Sequence, residues 1–311
     1  MKIVEIRQLV KKFDQTIAVD HLDLTIEAGQ IFGLLGPNGA GKSTTISIIC
    51  GLLRPTNGTV YLFEEESNGQ NTGQKARIGL VPQEIALYPD LSAYENVRFF
   101  AGLYGLRGES LEQAVQEALA FVGLEEKAKL RPKTFSGGMK RRLNIACAIA
   151  HKPSLIIMDE PTVGIDPQSR NYILASIRRL NQEGATIIYT SHYMEEVEEI
   201  CDQIAIIDQG RVIAEGSKET LIGLVTDVKE TVITVTDTVK VSKEALMAIR
   251  GTVAVQFAEN RIRLTTKVEI NQLNEVLCYL LANNIEVLAV EQQNLNLETV
   301  FLNLTGRLLR D

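Results

Sequence analysis

The chain has 311 residues, 45% of them hydrophobic, with 32 Lys and Arg against 39 Asp and Glu, a net charge of -7 and a pI near 5.3. This length is too great for one average domain and suits two, and the acidic balance argues against a nucleic-acid partner, whose footprint is normally basic. No run approaches the ~20 apolar residues that cross a bilayer, and Met1-Lys2-Ile3-Val4-Glu5 does not open a signal peptide.

Up to about residue 30 the chain reads as short strands, including Thr25-Ile26 before Ala28-Gly29. The apolar run Ile31-Phe32-Gly33-Leu34-Leu35 then reads as a buried strand, followed directly by Gly36-Pro37-Asn38-Gly39-Ala40-Gly41-Lys42-Ser43-Thr44. That segment fits G-x-x-x-x-G-K-[ST], a phosphate-binding loop. Its glycines let backbone N–H groups curl around phosphate oxygens, and a helix from Lys42 to about Ile49 points its positive end at them. Lys42 adds a point charge near the β and γ phosphates, and Ser43 offers a hydroxyl to Mg²⁺.

From about 84 to 148 the pattern turns helical. Ser92 with Glu95, and Ser110 with Gln113, have capping-box spacing. Leu111, Val115, Ala118, Leu119 and Val122 form one apolar face at helical spacing. The stretch ends in Thr134-Phe135-Ser136-Gly137-Gly138-Met139-Lys140. Next come two strands whose ends carry polar groups: Leu155-Ile156-Ile157-Met158 runs into Asp159-Glu160, and another apolar run closes on Tyr189-Thr190-Ser191-His192. Adjacent strand residues point to opposite sides, so two neighbouring carboxylates at a frayed strand end can serve two tasks. Ile204–Ile207 and Val212-Ile213 read as a hairpin turning at Gln209-Gly210.

Beyond about Leu221 no catalytic pattern appears. Strands are expected at Thr231–Thr236, Val253–Phe257, Arg261–Leu264 and Ile285–Val290, with helices at Lys243–Ile249 and Ile270–Leu281. That β-α-β-β-α-β order is compatible with a ferredoxin-like sandwich. Cys50, Cys147, Cys201 and Cys278 show no metal spacing and read as reduced core residues of a reducing compartment. His21, His151 and His192 are equally dispersed, which leaves no zinc constellation.

Taken together, the phosphate loop, Asp159-Glu160 and Ser136-Gly137-Gly138 resemble the ATP-binding subunit of an ABC transporter. The resemblance covers about 1–220 strongly and the remainder weakly. It implies an α/β P-loop NTPase fold over 1–220: a RecA-like parallel sheet, an antiparallel β-subdomain and a helical signature subdomain at about 84–148. Residues 221–311 would form a small α+β accessory domain, regulatory or dimerising.

The resemblance also implies roles. ATP would lie on Gly36–Thr44. Ser43, Asp159 and Gln83, the last in Val81-Pro82-Gln83-Glu84, would bind Mg²⁺, with Gln83 relaying movement to a membrane partner. Glu160 would be the general base on the attacking water, and His192 would bond the γ-phosphate and help to position that base. Ser136, Gly137 and Gly138 would bind the γ-phosphate held by a second ATP-binding subunit, in a homodimer or heterodimer. Asp166, in Gly164-Ile165-Asp166, matches the D-loop that crosses that interface, and Phe13 stands where an aromatic stacks on adenine.

Two departures are visible: Phe135 replaces the usual Leu, and Met139 the usual Gln. Met at that position, and the closing Leu297–Gly306, resemble the ABC-2 type branch that serves antibiotic, lipid and polysaccharide exporters. The implied function is ATP hydrolysis powering export through a separate ABC-2 type permease, with the chain cytoplasmic and peripheral on the membrane's inner face. The alternatives are a soluble ABC-type ATPase of DNA repair or translation, or a nucleotide sensor. Repair types insert a long coiled coil between loop and signature, but here Lys42 and Ser136 are only about 90 residues apart and no heptads intervene. Translation types carry two copies of each motif, and this chain has one. Lys42, Asp159, Glu160 and His192 together speak against a sensor without turnover.

Overall fold

The structure, a computed structural model, describes residues 1–225, 228–238, 241–267, 272–293 and 296–305. The described residues divide into two compact units, Met1–Lys218 together with Thr305, and Glu219–Leu304.

The first unit opens with two long strands rather than several short ones. They are β1 (Lys2–Phe13) and β2 (Thr16–Glu27), followed by β3 (Ile31–Leu35) and α1 (Lys42–Ile49). Next come β4 (Asn57–Leu62), β5 (Glu65–Glu66), α2 (Thr72–Lys75), β6 (Ile78–Val81), α3 (Ala93–Leu103), α4 (Gly108–Phe121) and α5 (Gly137–Ile149). The unit is completed by β7 (Leu155–Asp159), α6 (Pro167–Gln182), β8 (Thr186–Thr190), α7 (Met194–Ile200), β9 (Gln203–Asp208) and β10 (Arg211–Gly216).

Two sheets form. One is antiparallel in the order β2-β1-β4-β5; the other runs β10-β9-β3-β8-β7-β6, parallel except for β10. β3 lies in the middle of the parallel sheet and every one of its residues is buried. A strand covered on both faces needs apolar side chains throughout, which is why Ile31–Leu35 does not alternate. Ile6, Leu9, Val19 and Ile26 of the antiparallel sheet share one core with Phe32, Leu34, Ile157, Ile188 and Ile207 of the parallel sheet and with Ile46 and Ile49 of α1.

Helices α3, α4 and α5 pack on one another. Ser92 closes a full capping box with Glu95 at the start of α3, as its spacing predicts. Ser110 does not cap. Helix α4 begins two residues earlier at Gly108, and the Ser110 hydroxyl donates back to Arg107 O at 2.8 Å while Gln113 bonds Glu117. Leu111, Val115, Ala118, Leu119 and Val122 are all buried, as the periodicity requires.

The second unit holds most of α8 (Lys218–Val225), then β11 (Val228–Val235), α9 (Lys243–Ala248), β12 (Thr252–Ala258), β13 (Arg261–Lys267), α10 (Leu273–Ala282), β14 (Val287–Gln293) and all but the last residue of α11 (Leu297–Thr305). Its antiparallel sheet runs β12-β13-β11-β14. This is the β-α-β-β-α-β ferredoxin-like arrangement with the first and third strands central. Ile233, Val235, Val255, Ile262 and Leu264 meet Leu246 of α9 and Val276 and Leu280 of α10 in its core. The expected start of a helix at Ile270, and Gly306 of the closing segment, lie outside the described residues. Cys50 and Cys147 are buried and Cys201 is partly so, but Cys278 lies on the exposed side of α10, contrary to its reading as a core residue. Among the described residues no helix is long and apolar enough to cross a membrane.

Candidate functional site

The phosphate loop joins the middle strand of the parallel sheet to α1, and neighbouring backbone moulds it. A Cβ on Gly36 would lie 2.3 Å from the carbonyl oxygen of Ile207, and one on Gly41 2.4 Å from that of Ala18. Gly41 also has φ +104°, which side-chain-bearing residues rarely adopt. Ala40 N–H donates to Pro37 O, and Gly210 N–H donates to Ala40 O. Asn38 and Gly39 form the exposed tip, while Gly36, Pro37 and Ala40 are buried and Thr44 is half-buried.

Lys42 is buried, and its Nζ donates to Gly36 O at 2.6 Å and Pro37 O at 3.1 Å. Burial holds its pKa below the ordinary lysine value, opposed by the nearby Glu160 and Asp159. A buried cation with only neutral carbonyls as hydrogen-bond partners fits a polyanionic ligand. Ser43, on the exposed side, has its hydroxyl 3.5 Å from Asp159 Oδ2. Among the described residues no three His, Cys, Asp or Glu side chains gather as metal ligands. Mg²⁺ suits a site of this kind, because it takes one or two protein oxygens and completes its shell with phosphate and water.

Glu160 lies just past the end of β7, is buried, and has φ +49°. Three segments converge on it. Gln83 Nε2 donates to Oε2 at 2.9 Å, His192 Nε2 is in hydrogen-bond contact with Oε1, and the Glu160 N–H donates to Thr190 Oγ1 at 2.9 Å. His192 Nδ1 is buried without a hydrogen-bond partner. Lys42, Ser43, Gln83, Asp159, Glu160 and His192, spread over about 150 residues of sequence, thus form one site.

The signature stretch is elsewhere in this unit. Ser136 caps α5, accepting from Met139 N–H at 3.2 Å. Asp166 caps α6, accepting from Ser169 N–H at 2.8 Å. Gly138 packs so closely on Ser169 that a Cβ would lie 2.1 Å from the hydroxyl, so the signature adjoins the Asp166 turn. Ser136 and Gly137 are exposed. Phe13, at the hairpin end of β1, is exposed with Lys11 Nζ over its ring at 4.9 Å. Opposite it runs β2, whose Ala18 touches the phosphate loop.

Three residues that motif reading passed over belong to this assembly. Thr190 Oγ1 donates to Asp159 Oδ1 at 2.7 Å, so one hydroxyl ties both carboxylate residues together. Arg141, buried on α5, donates to Pro82 O at 2.9 Å and Gln83 O at 2.7 Å. Glu196, buried on α7, accepts from Thr162, Tyr189 and Ser191, each at 2.7 Å, and so links the turn after Glu160 to the residue before His192. A cavity of about 510 Å³ beside Phe121, Lys152, Pro153 and Gly184 is lined by none of these residues.

A P-loop between a buried central strand and its helix, with a strand-end carboxylate pair whose Glu160 is held by Gln83 and His192, defines a nucleotide-hydrolysing domain of the ABC type. The family model "ABC transporter" matches residues 19–163. The linearmycin resistance ATP-binding protein of Bacillus subtilis is 45% identical over 99% of this chain and 100% of its own length. A Nod factor export ATP-binding protein I from Cupriavidus pinatubonensis is 38% identical over 99% of this chain and 92% of its own. A dimeric ATP-binding cassette in a post-hydrolysis state with ADP and Pi superposes with a TM-score of 0.63 at 29% identity, covering 69% of this chain and 98% of that one. The chain belongs to the ABC transporter ATP-binding family, and it is accordingly an ATPase with a P-loop α/β fold.

Proposed function

We propose that this chain hydrolyses ATP to drive export through a separate ABC-2 type permease, working as a dimer at the inner face of the membrane. The observation that carries the proposal is Glu160, buried and held from two sides by Gln83 and His192. Such a carboxylate is positioned to accept the proton of an attacking water, and the remaining chemistry is positioning and charge stabilisation.

In this reading the N–H groups of Gly36–Thr44 and the Lys42 ammonium hold the phosphates, and Phe13 stacks on adenine. Ser43, Asp159 and Gln83 would hold Mg²⁺, which when bound would supply positive charge against the phosphates. His192 bonds the γ-phosphate and keeps Glu160 aligned. Ser136, Gly137 and Gly138, exposed at the start of α5 or against the Asp166 turn, cap the nucleotide of the second subunit. The dimeric cassette of the solved relative supports that pairing.

Resistance and export in the names of the two relatives support the direction of transport. A permease partner is supported by the surface near Gln83. Ile85, Tyr88, Phe99 and Leu103 are exposed, and the rings of Tyr88 and Phe99 meet edge-on at 4.9 Å. Residues 221–311 carry none of the named site residues and are proposed as an accessory domain that regulates or dimerises.

The test is Glu160→Gln. Nucleotide and Mg²⁺ binding should persist while turnover falls by roughly 10² to 10⁴. Near-normal turnover would remove Glu160 from its role.

A further inference from the structure

Arg141 is a buried cation bound to no carboxylate by any described ion pair or hydrogen bond. Its guanidinium spends two donors on two consecutive backbone carbonyls, Pro82 O and Gln83 O, and its Nε is buried without a partner. Burial lowers its pKa, and Glu160 and Asp159 act in the opposite sense, so this charge lies within reach of both carboxylates. The segment it grips is irregular. From Pro82 to Leu91 the described hydrogen bonds to other elements cluster at the two ends: Arg141 and Glu160 at Pro82-Gln83, and Asn96 of α3 at Tyr88 and Leu91 with Lys133 at Asp90.

The other end of this connection is Ser136. It caps the same helix, α5, little more than one turn before Arg141. An α-helix transmits a displacement of its first turn along its length, because every residue is bonded to the turn before it. A planar guanidinium holding two carbonyls fixes both position and orientation, which a single ammonium does not.

We infer that Arg141 is a positioning residue that makes Gln83 follow the signature helix, so that engagement of Ser136 is delivered to Glu160 of the same chain. The path runs Ser136, α5, Arg141, Gln83, Glu160. This rests on the proposed roles of Ser136 and Glu160, and it adds the element joining the two composite sites of a dimer.

The experiment compares Mg-ATP hydrolysis by the full chain as wild type, Arg141→Met, Arg141→Lys, Gln83→Ala and the Arg141→Met/Gln83→Ala double variant. Nucleotide affinity is measured separately. Arg141→Met should lower kcat by about 10²-fold while the Kd for ATP stays within about twofold, because a misplaced catalytic group costs rate and leaves the phosphate loop untouched. Cooperativity in ATP should fall towards a Hill coefficient of 1. Arg141→Lys should be intermediate. The double variant should be no slower than the worse single one, since both act through one contact chain.

Wild-type kcat in Arg141→Met, a loss of kcat matched by an equal loss of affinity, or additive losses in the double variant would each overturn the inference. If Arg141→Met is insoluble, Arg141→Lys is judged on the same split between kcat and Kd and on the same double variant. A wild-type chain without hydrolysis would sink the proposed function instead, so the two failures are distinct.

Discussion

The Glu160 N–H donates to Thr190 Oγ1 at 2.9 Å, and the same hydroxyl donates to Asp159 Oδ1 at 2.7 Å. Thr190 thereby fixes the backbone of one carboxylate residue and the side chain of the other across two adjacent strands. Thr190→Val keeps the shape and removes the hydroxyl, leaving a buried N–H without its acceptor. The cost should be about 1–3 kcal/mol in stability. Hydrolysis should need more Mg²⁺ for half-saturation, because Asp159 is freed to rotate. Unchanged Mg²⁺ dependence in a folded Thr190→Val chain would contradict this role.

Gly138 offers a steric test. A methyl there would collide with Ser169, whose Oγ and Cβ lie 2.1 and 2.5 Å from the position of the added carbon. Gly138→Ala should therefore displace the start of α5 from the Asp166 turn and reduce turnover by about tenfold or more. Ser169→Gly in the same chain should restore part of it. At Gly36 the obstruction is the backbone oxygen of Ile207, so no side-chain substitution should rescue Gly36→Ala.

His151 predicts a pH dependence of stability. It stacks flat on Tyr104 at 3.5 Å, its Nε2 lies 3.1 Å from Ile78 O, and burial lowers its pKa to about 4. The unfolded chain takes up the proton near pH 6.5, well before the folded one does. The stabilisation is therefore complete above about pH 6.5 and is lost as pH falls towards 4, up to about 3 kcal/mol. Thermal midpoints measured from pH 7 to 5 should fall less steeply in His151→Phe, which retains a ring on Tyr104.

The proposed dimer is testable by disulfide trapping. Ala40 and Phe135 are buried within the chain, so their exposed neighbours Asn38 and Thr134 are the better positions for thiols. A disulfide needs Cα atoms within about 7 Å. With Cys201→Ala, Cys278→Ser and Glu160→Gln, chains bearing Asn38→Cys mixed with chains bearing Thr134→Cys should form a covalent heterodimer on oxidation with ATP but not ADP. A mixture that stays monomeric under saturating ATP would argue against a head-to-tail arrangement.

The sequence announced those parts of the site whose chemistry is local. Gly36–Thr44 is a pattern because the loop wraps its ligand with consecutive N–H groups, and Ser92 with Glu95 is one because a capping box closes within a single turn. Gln83, Glu160 and His192 were legible by resemblance alone, since nothing in their own neighbourhoods says that they meet. Arg141, Thr190 and Glu196 carry no motif: Pro82-Gln83, Asp159-Glu160 and Thr162, which they bond, come near only in the folded sheet. Ser110 shows the opposite failure. Its spacing to Gln113 suits a cap, but α4 starts at Gly108 and leaves Ser110 inside the first turn. Cys278 is exposed despite its apolar neighbours, because an apolar neighbourhood in sequence does not say which side of a helix faces the core.

The mould around the phosphate loop has a consequence for the order of biosynthesis. The loop ends at Thr44, but the carbonyl against which Gly36 is pressed belongs to Ile207, and the N–H that ties down Ala40 belongs to Gly210. Closing contacts between residues so far apart is slow, and here it must also await the arrival of β9 beside β3. On the ribosome the chain therefore carries its nucleotide motif long before it can use it, and a nascent chain stalled short of Gly210 should hold ATP poorly although its motif is complete.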